Sequence, residues 1–142
     1  MRRPNVAMMV AAVFVLQSAL SGCASLMGGP SDEELIADTL AAWKAATEAE
    51  NVDGMMSCIS DDFQTDEGGK AEVREYLSGV IDQGMLSGAE MDLTEAETTI
   101  EEDGTASVMG IELSGDVGSV VMDLEMKKDA DGTWRIIGMD AY

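Results

Sequence analysis

Apolar and polar residues alternate with a period of two through the C-terminal part of the chain, from Met91 onward. Alternation of this kind predicts strands that bury one face of a sheet. Turn-forming residues at 103–104, 114–116 and 129–132 separate the strands and are typical of hairpins. This part of the chain is therefore predicted to form a four-stranded antiparallel meander whose last strand covers residues 133–142.

The residues before this sheet repeat their apolar positions at helical spacing. Ser31 and Glu34 form a capping-box pattern that predicts the start of a first helix. Asp53 is expected to cap a short second helix that runs to Ile59. A third helix is predicted over residues 70–83, where one face carries five apolar residues at the full helical spacing. These five residues are Val73, Tyr76, Leu77, Val80 and Ile81.

Two irregularities are expected in the strands. The alternation changes phase between Met91 and Ile100, which predicts a bulge. Residues 63–65 are expected to add a short extra strand. Helices followed by strands within a chain of single-domain length predict an α+β fold, with N-terminal helices packed on a curved antiparallel sheet.

The N-terminus carries Arg2 and Arg3, an apolar run over residues 6–16, and then the sequence Leu-Ser-Gly-Cys ending at Cys23. The run is shorter than a bilayer-spanning helix requires and has the length of a signal peptide. The region resembles the lipobox of bacterial lipoproteins. This resemblance implies a signal peptide over residues 1–22, a lipid on Cys23 and a flexible tether over 23–30.

Ala24 follows the cysteine where an aspartate would favour retention at the inner membrane. The resemblance therefore implies a lipid-anchored protein of the bacterial cell envelope, at the outer membrane and facing the periplasm. Acyl chains would supply the membrane anchor, since a single chain binds only marginally and two or three bind stably.

Acidic residues dominate the charge of the chain, with 28 Asp and Glu against 8 Lys and Arg. Two of the eight basic residues belong to the expected signal peptide, so six remain in the mature chain. Binding to nucleic acid is excluded by this balance, because phosphate contacts need basic side chains. Attraction to anionic lipid headgroups is also disfavoured.

The chain contains no histidine, which removes Ser–His and Cys–His catalysis and most zinc sites. Once Cys23 carries lipid, Cys58 has no disulfide partner within the chain. Its apolar neighbours predict a buried structural thiol.

Several segments of residues 31–142 together resemble the nuclear transport factor 2-like (NTF2-like) superfamily, near its SnoaL-like and DUF4440-like bacterial domains. They are a first helix with Trp43, an Asp-Asp-Phe ending at Phe63, a Gly-Lys start to the third helix at Lys70, and an Asp-Gly-Thr-Trp-Arg-Ile strand around Trp134. The resemblance implies a cone-shaped α+β fold with a pocket, often dimeric through its sheet. It does not imply one function, since the superfamily includes isomerases, dehydratases, hydrolases and binding modules.

No catalytic residue is assigned, and Asp140 is a weak candidate for a catalytic base; a carboxylate that is paired or solvated at the end of the last strand is the favoured interpretation of this residue. Strict alternation would place it on one face of the last strand with Trp134 and Ile136, toward an apolar pocket where burial raises a carboxyl pKa. Tyr76 and Tyr142 are the weaker partner candidates, because Arg135 falls on the opposite alternation.

A ligand pocket lined by aromatic residues and a methionine is expected. Methionines at 109, 122, 126 and 139 either line that pocket or fill the core. The carboxylate pairs at 61–62 and at 129 and 131 are interpreted as caps, surface groups or turn residues rather than catalytic or calcium-binding groups. No metal and no cofactor is expected. The expected pocket residues are Trp43, Phe63, Tyr76, Met122 and Trp134.

Three functions stay open. The first is a non-enzymatic envelope lipoprotein that binds a small apolar ligand or a protein partner, with a homodimer among the expected assemblies. The second is an isomerase, dehydratase or hydrolase of a small hydrophobic substrate, which requires a buried carboxylate beside a tyrosine hydroxyl. The third is a structural protein of envelope assembly. The scarcity of polar pocket candidates favours the first.

Overall fold

The structure, a computed structural model, describes residues 28–142. The predicted signal peptide and the lipidation site at Cys23 lie outside the described residues. Within the described part, no helix combines the length and the apolar character that crossing a bilayer requires. Asp32–Tyr142 forms one compact unit. Every buried apolar side chain of its core lies between Ile36 and Ile136, so this unit has a hydrophobic core of its own, as an independently folding domain requires.

In the described part of the chain, three helices precede the main sheet, and their positions agree with the periodicity of the sequence. They are α1 (Asp32–Glu48), α2 (Val52–Ser57) and α3 (Lys70–Asp82). The cap of α2 differs from the expectation. Asn51 is the N-cap, and its side-chain oxygen accepts the Gly54 N–H at 3.0 Å. Asp53 lies in the first turn instead and pairs with Arg74 at 2.9 Å.

Seven strands are found among residues 28–142 besides the helices. A small hairpin, β1 (Gln64–Thr65) and β2 (Gly68–Gly69), stands between α2 and α3 and confirms the predicted short strand. The remaining strands, all antiparallel, form the main sheet in the order β3-β5-β6-β7, with β4 also paired to β5. These strands are β3 (Glu90–Asp92), β4 (Glu97–Ile100), β5 (Thr105–Gly115), β6 (Gly118–Lys128) and β7 (Trp134–Ala141).

The predicted first strand of the meander is split in two. β3 pairs with residues 112–114 and β4 with residues 106–109 of the same neighbour, β5, while the chain between Asp92 and Glu97 leaves the ladder. The change of phase in the sequence thus marks a larger interruption than a bulge. β5, β6 and β7 follow one another as hairpins, as the alternation predicts.

Bulges occur in β5 and β7. In β5, Met109 and Gly110 together lie opposite Asp123, and Gly110 has a φ of +81°, a conformation that glycine adopts readily. In β7, Ile137 is the extra residue, because Ile136 pairs with Met126 while the next paired residue is Gly138. Bulges bend a strand and increase its twist, which accounts for the curvature of the sheet.

The inner face of this sheet and the buried stripe of α1 make the core. Trp43 from α1 and Trp134 from β7 are both nearly fully buried, together with Met55 from α2. Thr39 connects the two layers, since its hydroxyl donates to the backbone oxygen of Trp134 at 2.7 Å. The apolar stripe predicted for α1 is therefore the face that packs on the sheet. The buried residues of α1 are Ile36, Thr39, Leu40, Trp43, Ala46 and Thr47.

Helix α3 is the least covered of the three helices. None of its residues is fully buried. Val73 and Ile81 pack partly against the core, but Tyr76, on the edge of the same stripe, is 67% exposed. Helix α3 is amphipathic, as its sequence pattern predicts, but only part of its apolar face packs against the core.

Candidate functional site

An open cavity of about 230 Å³ lies beside this half-covered helix. We call it the apolar hollow and define it by its lining: Tyr76 and Val80 of α3, Met85, Leu86 and Ala89 of the loop that follows, and residues 113–115 and 117–120 of the β5–β6 hairpin.

Local backbone geometry places two of these side chains. Gly84, with a φ of +70°, ends α3 and reverses the chain, so that the Met85 N–H donates to the Val80 oxygen at 3.0 Å. Val117 lies in the two-residue loop of the hairpin, between the paired residues Gly115 and Gly118. The helix end and the hairpin tip thus present apolar side chains to the same space.

The hollow is the main site of exposed apolar surface in residues 28–142. Five large apolar side chains are exposed in this described part of the chain. Three of the five line the hollow: Tyr76 at 67%, Met85 at 44% and Val117 at 68%. Single exposed apolar residues need no explanation, but a concave group of them indicates a binding surface.

No Asp, Glu, Lys, Arg or Cys lines the hollow. Its polar side chains are the phenol of Tyr76 and the hydroxyls of Ser114 and Ser119, and the Ser114 hydroxyl donates to the backbone oxygen of Glu90 at 3.4 Å. Such a lining can hold an apolar body and offer a few hydrogen bonds. It offers no carboxylate or cation for proton transfer.

Asp140 lies elsewhere, on the outer face of the sheet. Strict alternation put Asp140 on the same face as Trp134 and Ile136, and this expectation is wrong. The bulge at Ile137 shifts the phase, so that Met139 pairs with the buried Leu124. Asp140 pairs across β6 with Asp123 and is exposed.

A second hollow, of about 430 Å³, is found on this outer face. Asp140 lines it together with Asp66, Asp123 and Glu125, and with the exposed side chain of Met109. It is acidic and open where the first is apolar. No group of side chains with the composition of a metal site is found among residues 28–142.

Tyr142 belongs to the same outer region. Its hydroxyl donates to one carboxylate oxygen of Asp123 at 3.2 Å, and this hydrogen bond raises the pKa of the Tyr142 phenol. The other oxygen of Asp123 accepts the Gly110 N–H at 2.9 Å. Tyr142 is 72% exposed. The phenol and the carboxylate therefore meet at the surface and not within an enclosed pocket.

The residues expected to line a ligand pocket fall into two groups. Tyr76 lines the apolar hollow. Trp43, Phe63, Met122 and Trp134 are buried in the core and line neither of the two hollows described above. The indole N–H of Trp134 donates to Asp32 at 2.9 Å.

The methionines divide in the same way. Met122 and Met126 fill the core and Met139 packs against it, whereas Met109 is exposed on the outer face. Of the residues that line the apolar hollow, only Tyr76 was among the expected pocket residues, and the missed ones include the exposed apolar side chains of Met85 and Val117. Both are apolar residues at turns, where polar residues are usual, and this contrast is the signal that could have identified them.

The adjacent carboxylates that could have suggested acid–base or calcium chemistry are engaged in ion pairs. Asp61 pairs with Lys70 at 2.8 Å, and Asp62 pairs with Lys127. These two carboxylates are thus surface groups, as the sequence analysis interpreted them.

The turn carboxylates Asp129 and Asp131 both bind the guanidinium of Arg135, at 2.9 Å and 2.8 Å. These bonds lower the pKa of the Asp131 carboxyl to about 2. They connect the β6–β7 turn to β7. The Ser60 hydroxyl extends the network by donating to Asp129 at 2.8 Å.

All six basic side chains of residues 28–142 form such ion pairs with carboxylates. None of them lines the apolar hollow. The basic side chains in question are Lys44, Lys70, Arg74, Lys127, Lys128 and Arg135.

Cys58 is free and buried, as predicted. Its thiol lies near the backbone oxygens of Thr39 and Gly54, at 3.8 Å and 3.6 Å. Burial raises the pKa of the Cys58 thiol, which disfavours the nucleophilic thiolate.

No protein-family model matches the chain, and no curated protein matches it. Solved structures do. A protein of unknown function with a cystatin-like fold from Nostoc punctiforme is 18% identical, with a TM-score of 0.60, over 78% of this chain and 89% of that chain. An uncharacterised cystatin-like protein from Caulobacter vibrioides is 12% identical, with a TM-score of 0.62, over 77% of this chain and 87% of that chain.

A third similar structure is a proposed ketosteroid isomerase from Shewanella frigidimarina. It is 18% identical, with a TM-score of 0.62, over 76% of this chain and 94% of that chain. Similarity at this level of identity establishes the fold alone. The domain has the cystatin-like α+β fold, with helices packed on a curved antiparallel sheet, that the NTF2-like resemblance implied.

Proposed function

We propose that this domain binds a small apolar ligand in the apolar hollow and is held in the bacterial cell envelope by lipid on Cys23. The observation that carries the proposal is the grouping of Tyr76, Met85 and Val117. These exposed apolar side chains surround one cavity that has no charged lining residue. Removing such surface from water stabilises a complex by about 25 cal/mol per Å² of apolar area.

The size of the hollow limits the ligand. A volume of about 230 Å³ is below the roughly 300–1,000 Å³ of pockets that enclose drug-sized molecules. The hollow is suited to a small molecule, or to the apolar part of a longer one whose remainder stays in solvent.

The enzymatic alternative receives less support from the geometry. It required a buried carboxylate beside a tyrosine hydroxyl. Tyr76 lines a hollow without a carboxylate, and the pair formed by Tyr142 and Asp123 is on the outer surface. Binding without chemistry needs only the apolar lining that is present.

A fluorescence titration tests the binding site. The probe is N-phenyl-1-naphthylamine, an uncharged dye that brightens in apolar surroundings, added to the chain from Ala24 to the C-terminus. We expect saturable binding. Met85→Gln should weaken it about fivefold, which corresponds to about 1 kcal/mol of lost apolar contact.

Met109→Gln is the matched control, because Met109 is also an exposed methionine, at 55% against 44% for Met85, and lies outside the apolar hollow. It should leave the dissociation constant unchanged. Non-saturable fluorescence of the unsubstituted protein, or equal weakening by both substitutions, would overturn the assignment of the ligand site.

The anchor is supported by the basic start, the apolar run and the Leu-Ser-Gly-Cys sequence at residues 20–23. Its location at the outer membrane, facing the periplasm, is part of the proposal and rests on Ala24. The test is metabolic labelling of the full chain in a bacterium with an alkyne-bearing palmitate. Label should enter the unsubstituted chain, which should sediment with outer-membrane vesicles. Cys23→Ser should lose the label, and a labelled Cys23→Ser chain would contradict the lipidation.

A further inference from the structure

We propose that the ligand of the apolar hollow is a cationic amphiphile, with its apolar part in the hollow and its ammonium group at the rim beside Asp116. This inference rests on the proposed function, since it names the chemical class of the molecule bound at that site. Four properties of the described residues support it.

The first is the absence of any available positive charge. A fatty acid or another anionic amphiphile would need a basic partner for its headgroup, because an unpaired charge at an apolar surface loses hydration without compensation. Each of the six basic side chains of residues 28–142 is already paired with a carboxylate, and none lines the hollow.

The second is the position of Asp116. This residue is in the loop of the β5–β6 hairpin, and both of its chain neighbours, Gly115 and Val117, line the hollow. Its carboxylate lies over Gly88, where an added Cβ would be 3.5 Å from an Asp116 oxygen. Gly88 is followed by Ala89, which also lines the hollow. The carboxylate of Asp116 is therefore at the rim, between two lining segments.

Asp116 is also free to receive a cation. Its side chain forms no hydrogen bond and no ion pair with any other residue in the described range 28–142. Seven other carboxylates of this range are engaged with basic side chains. A charge-assisted hydrogen bond from an ammonium group would thus cost no existing ion pair.

The third property is the exposed ring of Tyr76. It is 67% exposed and lines the hollow from the α3 side. An aromatic face attracts ammonium groups as well as apolar chains, and aromatic rings combined with a carboxylate are a common way of recognising organic cations. Tyr76 can therefore contact both parts of a cationic amphiphile.

The fourth property acts at longer range. With 28 acidic residues in the chain and every basic side chain of the described part already paired, the domain attracts cations and repels anions in its surroundings. This field does not select a site by itself. It adds to the local preference that Asp116 and the uncharged lining create at the hollow.

A displacement titration with three matched compounds tests the proposal. Decylammonium, decanol and decanoate share one chain and differ in charge, and each is used below its micelle-forming concentration at neutral pH. Each compound competes with N-phenyl-1-naphthylamine for the apolar hollow of the protein that begins at Ala24. Decylammonium should displace the dye at a concentration at least about tenfold lower than decanoate does, with decanol between them.

Two substitutions locate the effect. Asp116→Asn should weaken decylammonium about fivefold and leave decanol unchanged. Asp140→Asn removes a carboxylate from the outer face of the sheet and is the matched control, which should leave the decylammonium affinity unchanged. If both substitutions weaken decylammonium binding equally, only the overall negative charge of the domain attracts the ligand, and the role of Asp116 is overturned.

The failures of the two proposals are distinguishable. If the dye itself does not bind, the apolar hollow is not a ligand site and the proposed function falls. If the dye binds but decanoate displaces it as well as decylammonium does, the hollow stays a ligand site and the cationic class is overturned.

Discussion

Asp123 accepts a hydrogen bond from the backbone N–H of Gly110 at 2.9 Å and so fixes the bulge of β5 from the neighbouring strand. The bulge leaves Met109 and Gly110 opposite a single residue, and one of their N–H groups would otherwise lack a strand partner. A side chain on β6 therefore completes the ladder where the backbone cannot. The irregularity that bends the sheet is specified by a contact between strands.

We predict that Asp123→Ala lowers the free energy of unfolding by about 1.5–3 kcal/mol, because hydrogen bonds to charged groups contribute at this level and the site is partly buried. Chemical denaturation monitored by tryptophan fluorescence measures the change. Asp140→Ala, on the paired position of β7, should change stability by less than about 0.5 kcal/mol. Similar losses for both substitutions would refute the special role of Asp123.

The hydroxyl of Thr39 gives a second prediction. Thr39→Val removes the hydrogen bond from α1 to the Trp134 oxygen at nearly constant volume, so it should cost about 1 kcal/mol. Thr47→Val is the control, because the Thr47 hydroxyl bonds only to Trp43 in its own helix, and it should cost less than about 0.5 kcal/mol. Denaturation midpoints of the two variants give the comparison. A control as costly as Thr39→Val would show that the inter-layer bond contributes nothing particular.

Acid should weaken the network around Arg135. The pKa of Asp131 is lowered to about 2 in the folded protein, so its ionisation stabilises the fold above the ordinary value of 3.8, and this contribution disappears as the pH falls toward 2. Repulsion among the other carboxylates relaxes over the same range and acts in the opposite direction. The difference in stability between the unsubstituted protein and Asp131→Asn isolates the contribution of the ion pair between Asp131 and Arg135.

Thermal unfolding measured from pH 6 to pH 2 should show that difference shrinking as the pH falls. Asp66→Asn serves as the comparison, because Asp66 lies outside the ion pairs described above. A difference between the protein and Asp131→Asn that stays constant with pH would contradict the role of the ion pair.

The thiol of Cys58 should react only when the domain opens. It is buried, and burial raises its pKa, so both access and thiolate formation oppose reaction. In the chain that begins at Ala24, Cys58 is the sole cysteine. Ellman's reagent should modify it at the rate of unfolding in buffer and within seconds in denaturant. Rapid reaction in buffer would show that α2 opens locally.

The helices and the consecutive hairpins of β5, β6 and β7 were predictable from periodicity and turn residues, whereas the division of the first sheet strand into β3 and β4 was not. The stripe of α1, the end of α3 at Gly84 and the three consecutive hairpins depend on local spacing and turn residues, which a sequence displays directly. The cap of α2 was assigned two residues late, because Asn51 and Asp53 are both good caps and only the fold selects between them.

The candidate site was much less predictable. The position of Asp140 depends on one extra residue at Ile137, and a single insertion reverses the face of every later side chain in the strand. Aromatic residues were predicted to line a pocket, but Trp43 and Trp134 are buried in the core. The apolar hollow arises where the end of α3 comes close to the tip of a hairpin. Met85 and Val117, which line it from the two sides, are 32 residues apart in the sequence, and no local pattern encodes such a long-range approach.

The split of the first sheet strand into β3 and β4 has a consequence for self-association. An open sheet edge is a template on which other chains can add strands and grow into fibrils. Here one edge offers only pieces of three and four residues, both with acidic side chains such as Glu90 and Glu97. The opposite edge is occupied at Ile136 by the backbone around Ile59. The edge formed by β3 and β4 therefore offers another chain little continuous backbone to pair with, which disfavours strand addition on that side of the sheet.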